Sequence, residues 1–213
     1  MNFNQFLKAT SKISNLELPA EASQFKMSPP FRGDLLQKQQ GKIKNAKQSA
    51  VLALFYPDEA QETKFVLILR KTYKGVHSAQ VGFPGGKVEV ADTSLKHTAL
   101  RETEEEIGVP MHSIETLKAL TQVYIPPSNF YVQPFIGYSN STPHFIKQES
   151  EVEDIIEVSL AHFLDEQRVI TKTVSTSYKV DVAVPAFHLN NHVVWGATAM
   201  MLSEIKDLLK LAL

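Results

Sequence analysis

The stretch Phe83-Pro84-Gly85-Gly86, then Asp92, then Arg101-Glu102-Thr103-Glu104-Glu105-Glu106-Ile107-Gly108 decides how this chain is read. Leu95, Ala99, Thr103 and Ile107 recur at four-residue spacing, with Leu100 widening the stripe, which predicts an amphipathic helix. Gly108 and Pro110 stop it, and Asp92 or Thr93 is expected to cap its start. At about 100° per residue, Glu102, Glu105 and Glu106 share a sector of about 100°, while Glu104 points to the opposite side. Like charges on adjacent turns repel by roughly a few tenths of a kcal/mol per pair unless cations sit between them. Ligands that are all oxygen suit a hard ion, Mg2+ or Mn2+. A solvated acidic face has the same spacing. The glycine turn upstream shifts the balance toward an ion site.

Composition narrows the function classes. The 213 residues, 43% hydrophobic and 21% charged, suffice for one globular domain. Residues 1–46 read as an N-terminal extension, helical and packed on the domain, and residues 47–213 as the domain itself. No apolar run reaches the roughly 20 residues that span a bilayer, and Met1 to Leu18 lacks a secretory apolar stretch. Membrane partners are therefore not expected. The absence of cysteine excludes disulfides, thiol catalysis and zinc–thiolate sites, and agrees with a cytoplasmic setting. A net charge of −1 argues against nucleic acid as a partner, since phosphate backbones need extended basic surface. A homodimer is left open.

The coarse pattern interleaves strands and helices. Phe3, Phe6, Leu7 and Ile13 can line one helix, and Pro29-Pro30 breaks the chain before a Lys/Gln-rich segment. Strands are expected at Ala50 to Tyr56, Lys64 to Leu69, Ile114 to Tyr124, Phe130 to Tyr138 and Ile155 to Leu160. A short helix near Ala161 to Asp165 follows, then a hairpin of Val180 to Leu189 and His192 to Trp195, then a helix from about Ala197 with Met201, Ile205, Leu208 and Leu209 inward. Without a regular βαβ period, these elements predict an α/β (α+β) sandwich, a mixed sheet between helices.

Gly86, Asp92 and Arg101-Glu102-x-x-Glu105-Glu106-x-Gly108 together resemble the Nudix box, the strand-loop-helix signature of Nudix hydrolases. Eight residues, where the general pattern has seven, separate Asp92 from Arg101, and Thr103 stands where an aliphatic residue is commoner. The extra residue, Phe83-Pro84-Gly85-Gly86 and Leu67-Ile68-Leu69-Arg70 are similar to the coenzyme A pyrophosphatase branch. So are Tyr124-Ile125-Pro126-Pro127-Ser128 and Trp195-Gly196-Ala197-Thr198-Ala199. Gly75 and Ala79 depart from that branch, which usually has arginine and glycine there. The resemblance implies a Nudix fold and metal-dependent hydrolysis of a diphosphate in coenzyme A or its thioesters. Other diphosphates (ADP-ribose, a dinucleotide, a nucleoside triphosphate) and a silent ligand-binding domain remain alternatives on the same scaffold.

The chemistry fits that implication. Diphosphate hydrolysis needs neutralised charge and a poised water. Glu102, Glu105 and Glu106 would hold one to three divalent ions, with the Gly86 carbonyl as a further ligand, because glycine lets the backbone approach. Arg101, four residues before Glu105, would orient that carboxylate, or form a surface ion pair. Asp92 reads equally as a helix cap. Arg70, Lys71, Lys74, His77 and Lys87 are the local cations for phosphate contact, Arg70 foremost because its planar fork suits phosphate. Tyr124, Phe130 and Tyr131 are base-stacking candidates or core, and Trp195 reads as structural. Glu151, in the acidic run Glu149 to Asp154, is the candidate general base and otherwise part of a solvated loop.

Overall fold

The computed structural model describes residues 1–72, 80–175 and 181–213. Its helices are α1 (Phe3–Ile13), α2 (Ala20–Gln24), α3 (Arg32–Lys38), α4 (Gln40–Ile43), α5 (Leu95–Ile107), α6 (Leu160–Leu164) and α7 (Gly196–Ala212). The strands are β1 (Lys47–Pro57), β2 (Thr63–Arg70), β3 (Val81–Gly82), β4 (Gly85–Lys87), β5 (Ile114–Ala119), β6 (Val123–Ile125), β7 (Phe130–Ser139) and β8 (Val152–Ser159), with β9 (Val169–Ser175), β10 (Asp181–Leu189) and β11 (His192–Val194).

An eight-stranded sheet runs β3-β2-β1-β7-β5, with β4 also on β1, β6 on β7 and β8 on β2. Only β1 and β7 pair in parallel, so the sheet is mixed. Strands β11, β10 and β9 form a second, antiparallel sheet. The alternation along β1 builds two cores, as the period of two requires. Ala50, Leu52, Leu54 and Tyr56 meet Ala99 and Ile107 of α5, while Ala53 and Phe55 join Phe6, Ile205 and Leu209 of α1 and α7. The sheet is thus covered by α5 on one face and by α7 with α1 on the other, which is the expected α/β sandwich.

Several boundaries differ from the sequence reading. The strand expected from Ile114 to Tyr124 is broken into β5 and β6, because Thr121 turns aside to give its N–H and hydroxyl to Glu204 of α7, at 3.3 and 2.7 Å. The sequence reading lacks strand β9, whose residues are mostly exposed and carry no apolar stripe. Helix α5 is capped by Ser94, whose hydroxyl accepts from His97 N at 3.1 Å, and not by Asp92 or Thr93. At its other end Gly108 adopts φ +74°, and the packing of Ile146 leaves no room for a Cβ there.

The N-terminal segment is tied to α7. Gln24 donates to Glu204 at 2.9 Å, Lys26 pairs with Asp207 at 2.6 Å, and Phe3, Phe6 and Ile13 are fully buried.

Candidate active site

Two edges of the sandwich meet at the Gly85-Gly86 turn. Gly85 has φ +148°, and a Cβ on it would lie 2.3 Å from the Ala50 carbonyl oxygen. Gly86 has no such dihedral requirement; its need is space, because a Cβ there would strike the Glu102 carboxylate at 2.4 Å. Gly85 is thus required by both dihedral and space, and Gly86 by close approach alone.

Helix α5 brings its carboxylates to this turn with very different burial. Glu106 is 1% exposed, accepts the Gly85 N–H at 2.7 Å, and has Oε1 3.1 Å from Arg70 Nη1. That oxygen is buried and, beyond the ion pair, has no hydrogen-bond partner among the described residues. Burial pushes the Glu106 carboxyl up to about 7, against the pull of Arg70 and the Gly85 N–H, and burial likewise raises Glu102. Glu105 has a half-exposed side chain, held outward by Arg101 at 2.9 Å. Glu104 points away, as its helical angle requires, and caps the next turn by accepting Met111 N at 2.9 Å.

Arg101 is the hub. Its Nε and Nη2 take both oxygens of Asp92, at 2.9 and 3.0 Å, while Nη2 also reaches Glu102 at 3.1 Å and the Lys87 carbonyl at 3.1 Å. Asp92 is solvent-inaccessible and further accepts from Thr98 Oγ1 and Glu89 N, each at 2.9 Å. It therefore fastens the loop that carries the extra residue to the helix. The Arg101 hydrogen bonds, foremost among its donors, hold its carboxyl well below the usual carboxylate range. The unusual Thr103 is explained by its own turn: it is fully buried and returns its hydroxyl to the Ala99 carbonyl at 2.7 Å.

Of the cations foreseen for phosphate, Arg70 reaches the turn. A bulge between Leu69 and Arg70 in the β2–β8 ladder re-aims it, and Nη1 also donates to the Gly85 carbonyl at 3.3 Å. Lys87 lines the adjoining cavity beside the Phe130 ring. Lys71 is turned instead to Glu149 and Glu153, at 4.0 and 3.9 Å. Lys74 and His77, with Gly75 and Ala79, lie outside the described residues. Glu151 stands 4.0 Å from Arg70 Nη2, and its charge acts on both Glu102 and Glu106. The acidic run is thus split by β8: Glu151 faces the site, whereas Glu153 answers Lys71.

On the α7 side of the turn opens a cavity of about 440 Å³. Its walls include Phe31 and Leu35 from the N-terminal segment, Phe130, Trp195 and Met201, with Gly85 and Gly86 at its border. Trp195, read from sequence as structural, faces this space, and Phe31 and Leu35 were not foreseen. No local spacing could have found them, since the fold alone gathers them. Tyr124 and Tyr131 lie against each other, ring centroids 5.3 Å apart, on the wall of a second cavity.

The donor set suits a divalent cation. Among the described residues, no group of three His, Asp or Glu side chains is gathered around one point as they stand. Even so, Glu106 has a buried oxygen without a hydrogen bond, and the Glu102 carboxylate fills the space that a Gly86 side chain would take. Both are hard oxygen donors in a partly dry site, whose charge a cation would compensate.

The NUDIX domain family model matches residues 46–175, more than half of the chain. This chain belongs to the Nudix family of hydrolases. Among its relatives is the mitochondrial coenzyme A diphosphatase NUDT8 of Homo sapiens, 34% identical over 128 residues, or 60% of this chain. The chain spans 54% of that protein's length. The uncharacterized Nudix hydrolase NudL of Citrobacter koseri is 30% identical over 169 residues, covering 78% of this chain and 84% of that one. A MutT/nudix family protein of Enterococcus faecalis shares the fold, with a TM-score of 0.50 at 18% identity, over 78% of this chain and 62% of that one. The matched residues include the Gly86-to-Gly108 stretch that resembles the Nudix box.

Proposed function

We propose that this Nudix hydrolase cleaves the diphosphate of coenzyme A or its thioesters, giving adenosine 3′,5′-bisphosphate and 4′-phosphopantetheine or its acyl form. The observation that carries the reading is the shared border: the Gly85-Gly86 turn lies at once against the Glu102 and Glu106 carboxylates and at the mouth of the apolar cavity. A diphosphate held at the turn would leave its organic arm in that cavity. The coenzyme A diphosphatase among the relatives, and the sequence elements Trp195-Gly196-Ala197 and Tyr124-Ile125-Pro126-Pro127, support this substrate over other diphosphates.

In this reading Glu102, Glu105 and Glu106 would hold Mg2+ or Mn2+, together with the Gly86 carbonyl. When bound, the ions supply charge neutralisation at the phosphates and a more acidic water. Arg101 positions Glu102 and Glu105 and is itself fixed by Asp92. Arg70 holds the turn and Glu106, and offers Nη2 toward a phosphate oxygen. Lys87 adds positive charge at the cavity mouth. Glu151 is the base that accepts the water proton as the new phosphorus–oxygen bond forms and the bond to the bridging oxygen breaks. The same proposal includes a cytoplasmic setting and allows a homodimer.

A product-resolved assay over coenzyme A, an acyl derivative, ADP-ribose, NADH and nucleoside triphosphates tests the reading. The highest kcat/KM is expected for coenzyme A or its acyl form, with cleavage inside the diphosphate. A tenfold advantage for ADP-ribose or a triphosphate would sink it.

A further inference from the structure

The cavity contains a cation that the hydrolytic chemistry does not use. Arg32 opens α3, in the segment that precedes the family-matched residues, and stands between two cavities, the one that the glycine turn borders and the one walled by Tyr124 and Tyr131. Its Nη2 donates to the Tyr124 carbonyl at 2.8 Å, whereas its Nε is buried and has no hydrogen-bond partner among the described residues. Among the described residues no carboxylate lies within ion-pair distance of it; Glu21 acts on it only from farther away. Burial works against its charge, which costs stability unless an anion answers it. Arg70, the other arginine lining the cavity, is already engaged by Glu106 and Glu151.

Strand register fixes where Arg32 stands. Lys87 pairs with Ser49, Ser49 with Val132, and Val132 with Val123, the neighbour of Tyr124. Three strand spacings of about 4.8 Å set the Arg32 anchor about 14 Å from the strand that carries the turn. That separation suits an anion one nucleoside removed from a diphosphate seated over the turn. We infer that Arg32 is a specificity residue that binds the 3′-phosphate of coenzyme A, so that the N-terminal segment reads the nucleotide while the Nudix box cleaves it. The inference rests on the substrate proposed above. A guanidinium that keeps unused N–H donors suits a charge-assisted contact with a phosphate.

The test compares coenzyme A with dephospho-coenzyme A, which lacks only that phosphate, in wild type, Arg32→Gln and Arg32→Lys. Lysine keeps the charge and can still extend to the Tyr124 carbonyl, so Arg32→Lys controls for the structural bond that the shorter glutamine gives up. Wild type should prefer coenzyme A by at least tenfold in kcat/KM, chiefly through KM. Arg32→Gln should remove most of that preference, and Arg32→Lys, which keeps the charge, should fall between. Calorimetry gives a readout without turnover: adenosine 3′,5′-bisphosphate should bind wild type more tightly than AMP, and Arg32→Gln should level the two. Retention of the preference by Arg32→Gln, or an equal loss on both substrates, overturns the role of Arg32 and leaves the substrate reading standing. Failure of wild type to cleave either substrate overturns both.

Discussion

The two faces of the central sheet are built by opposite rules. On the α5 face, function is packed into consecutive residues: Arg101, Glu102, Glu105 and Glu106 lie within two turns, and Asp92 is a short loop away. On the α7 face, the cavity wall is assembled from Phe31, Phe130, Trp195 and Met201, which are distant in the chain. The first face is polar, ordered by charge-assisted bonds, and suited to chemistry. The second is largely apolar and suited to selecting what reaches that chemistry. Changes on the α5 face should therefore act on kcat or stability, and changes on the α7 face on KM.

The largest effect should come from removing divalent cation. Excess chelator is expected to bring hydrolysis to background, with added Mg2+ or Mn2+ restoring it and Ca2+ doing so poorly, because its larger, looser coordination misplaces the phosphate oxygens. Full activity under chelator would break the assignment of the α5 face to metal chemistry.

Within that face the three glutamates can be set against their neighbour. Glu105→Gln and Glu106→Gln should each lower kcat by at least roughly 10²-fold, the scale of a lost electrostatic contribution. Glu104→Gln should change little, since its amide oxygen can still accept the Met111 N–H. Steady-state kinetics at saturating metal decide it; a Glu104 variant as damaged as the others would refute the separation of helix faces.

Asp92 sharpens the comparison through stability. It is buried with Arg101 as its main partner, so Asp92→Ala should cost about 3 kcal/mol, the penalty of breaking a buried pair. Its carboxyl titrates lower folded than unfolded, so this contribution is complete above the unfolded pKa of about 3.9 and is lost as pH falls below it. Thermal unfolding followed by circular dichroism at fixed pH values should show the midpoint difference between wild type and Asp92→Ala shrinking as pH is lowered from 5 to about 2. A constant difference would show that Asp92 acts through packing alone.

How much of this was legible in the sequence follows the same division. Helix α5, its glutamate face and the Gly85-Gly86 turn could be read because periodicity and spacing are local, and Arg101 meets Glu105 as the i,i+4 rule expects. Glu151 could be named but not placed, because its approach to Arg70 depends on the bulge in the β2–β8 ladder. Asp92 or Thr93 is the cap expected from sequence, but Ser94, adjacent to the first helical residue, takes that role and Asp92 turns inward to Arg101, a choice that depends on tertiary packing. The cavity was not legible. Phe31 and Leu35 become neighbours of Trp195 only once Gln24 and Lys26 have fastened the N-terminal segment to α7.

Arg70 stands between the two faces. Its guanidinium serves Glu106, the Gly85 carbonyl and, in the proposed complex, a phosphate. Arg70→Ala should therefore lower kcat/KM by about 10- to 100-fold, a charge-assisted contact of about 1.5–3 kcal/mol. Because it also strands Glu106, both kcat and thermal stability should fall. A pure KM effect would make Arg70 a binding residue alone.

The smallest effect is the one that tests the α7 face by itself. Phe31 offers an apolar ring to the cavity and belongs to none of the hydrogen-bond networks around the turn. Phe31→Ala should remove roughly 1 kcal/mol of apolar contact with the bound arm, about a fivefold rise in KM, while kcat stays within about twofold. Leu35→Ala should behave alike, because both side chains line the wall that carries Arg32. Comparing free coenzyme A with acyl derivatives of increasing length in both variants would locate the arm: a penalty independent of chain length keeps the nucleotide against α3, as the role of Arg32 requires, and a penalty that grows with chain length would seat the acyl group there instead. A fall in kcat with KM unchanged would instead couple the N-terminal wall to the carboxylates across the sheet, and the division between the two faces would have to be given up.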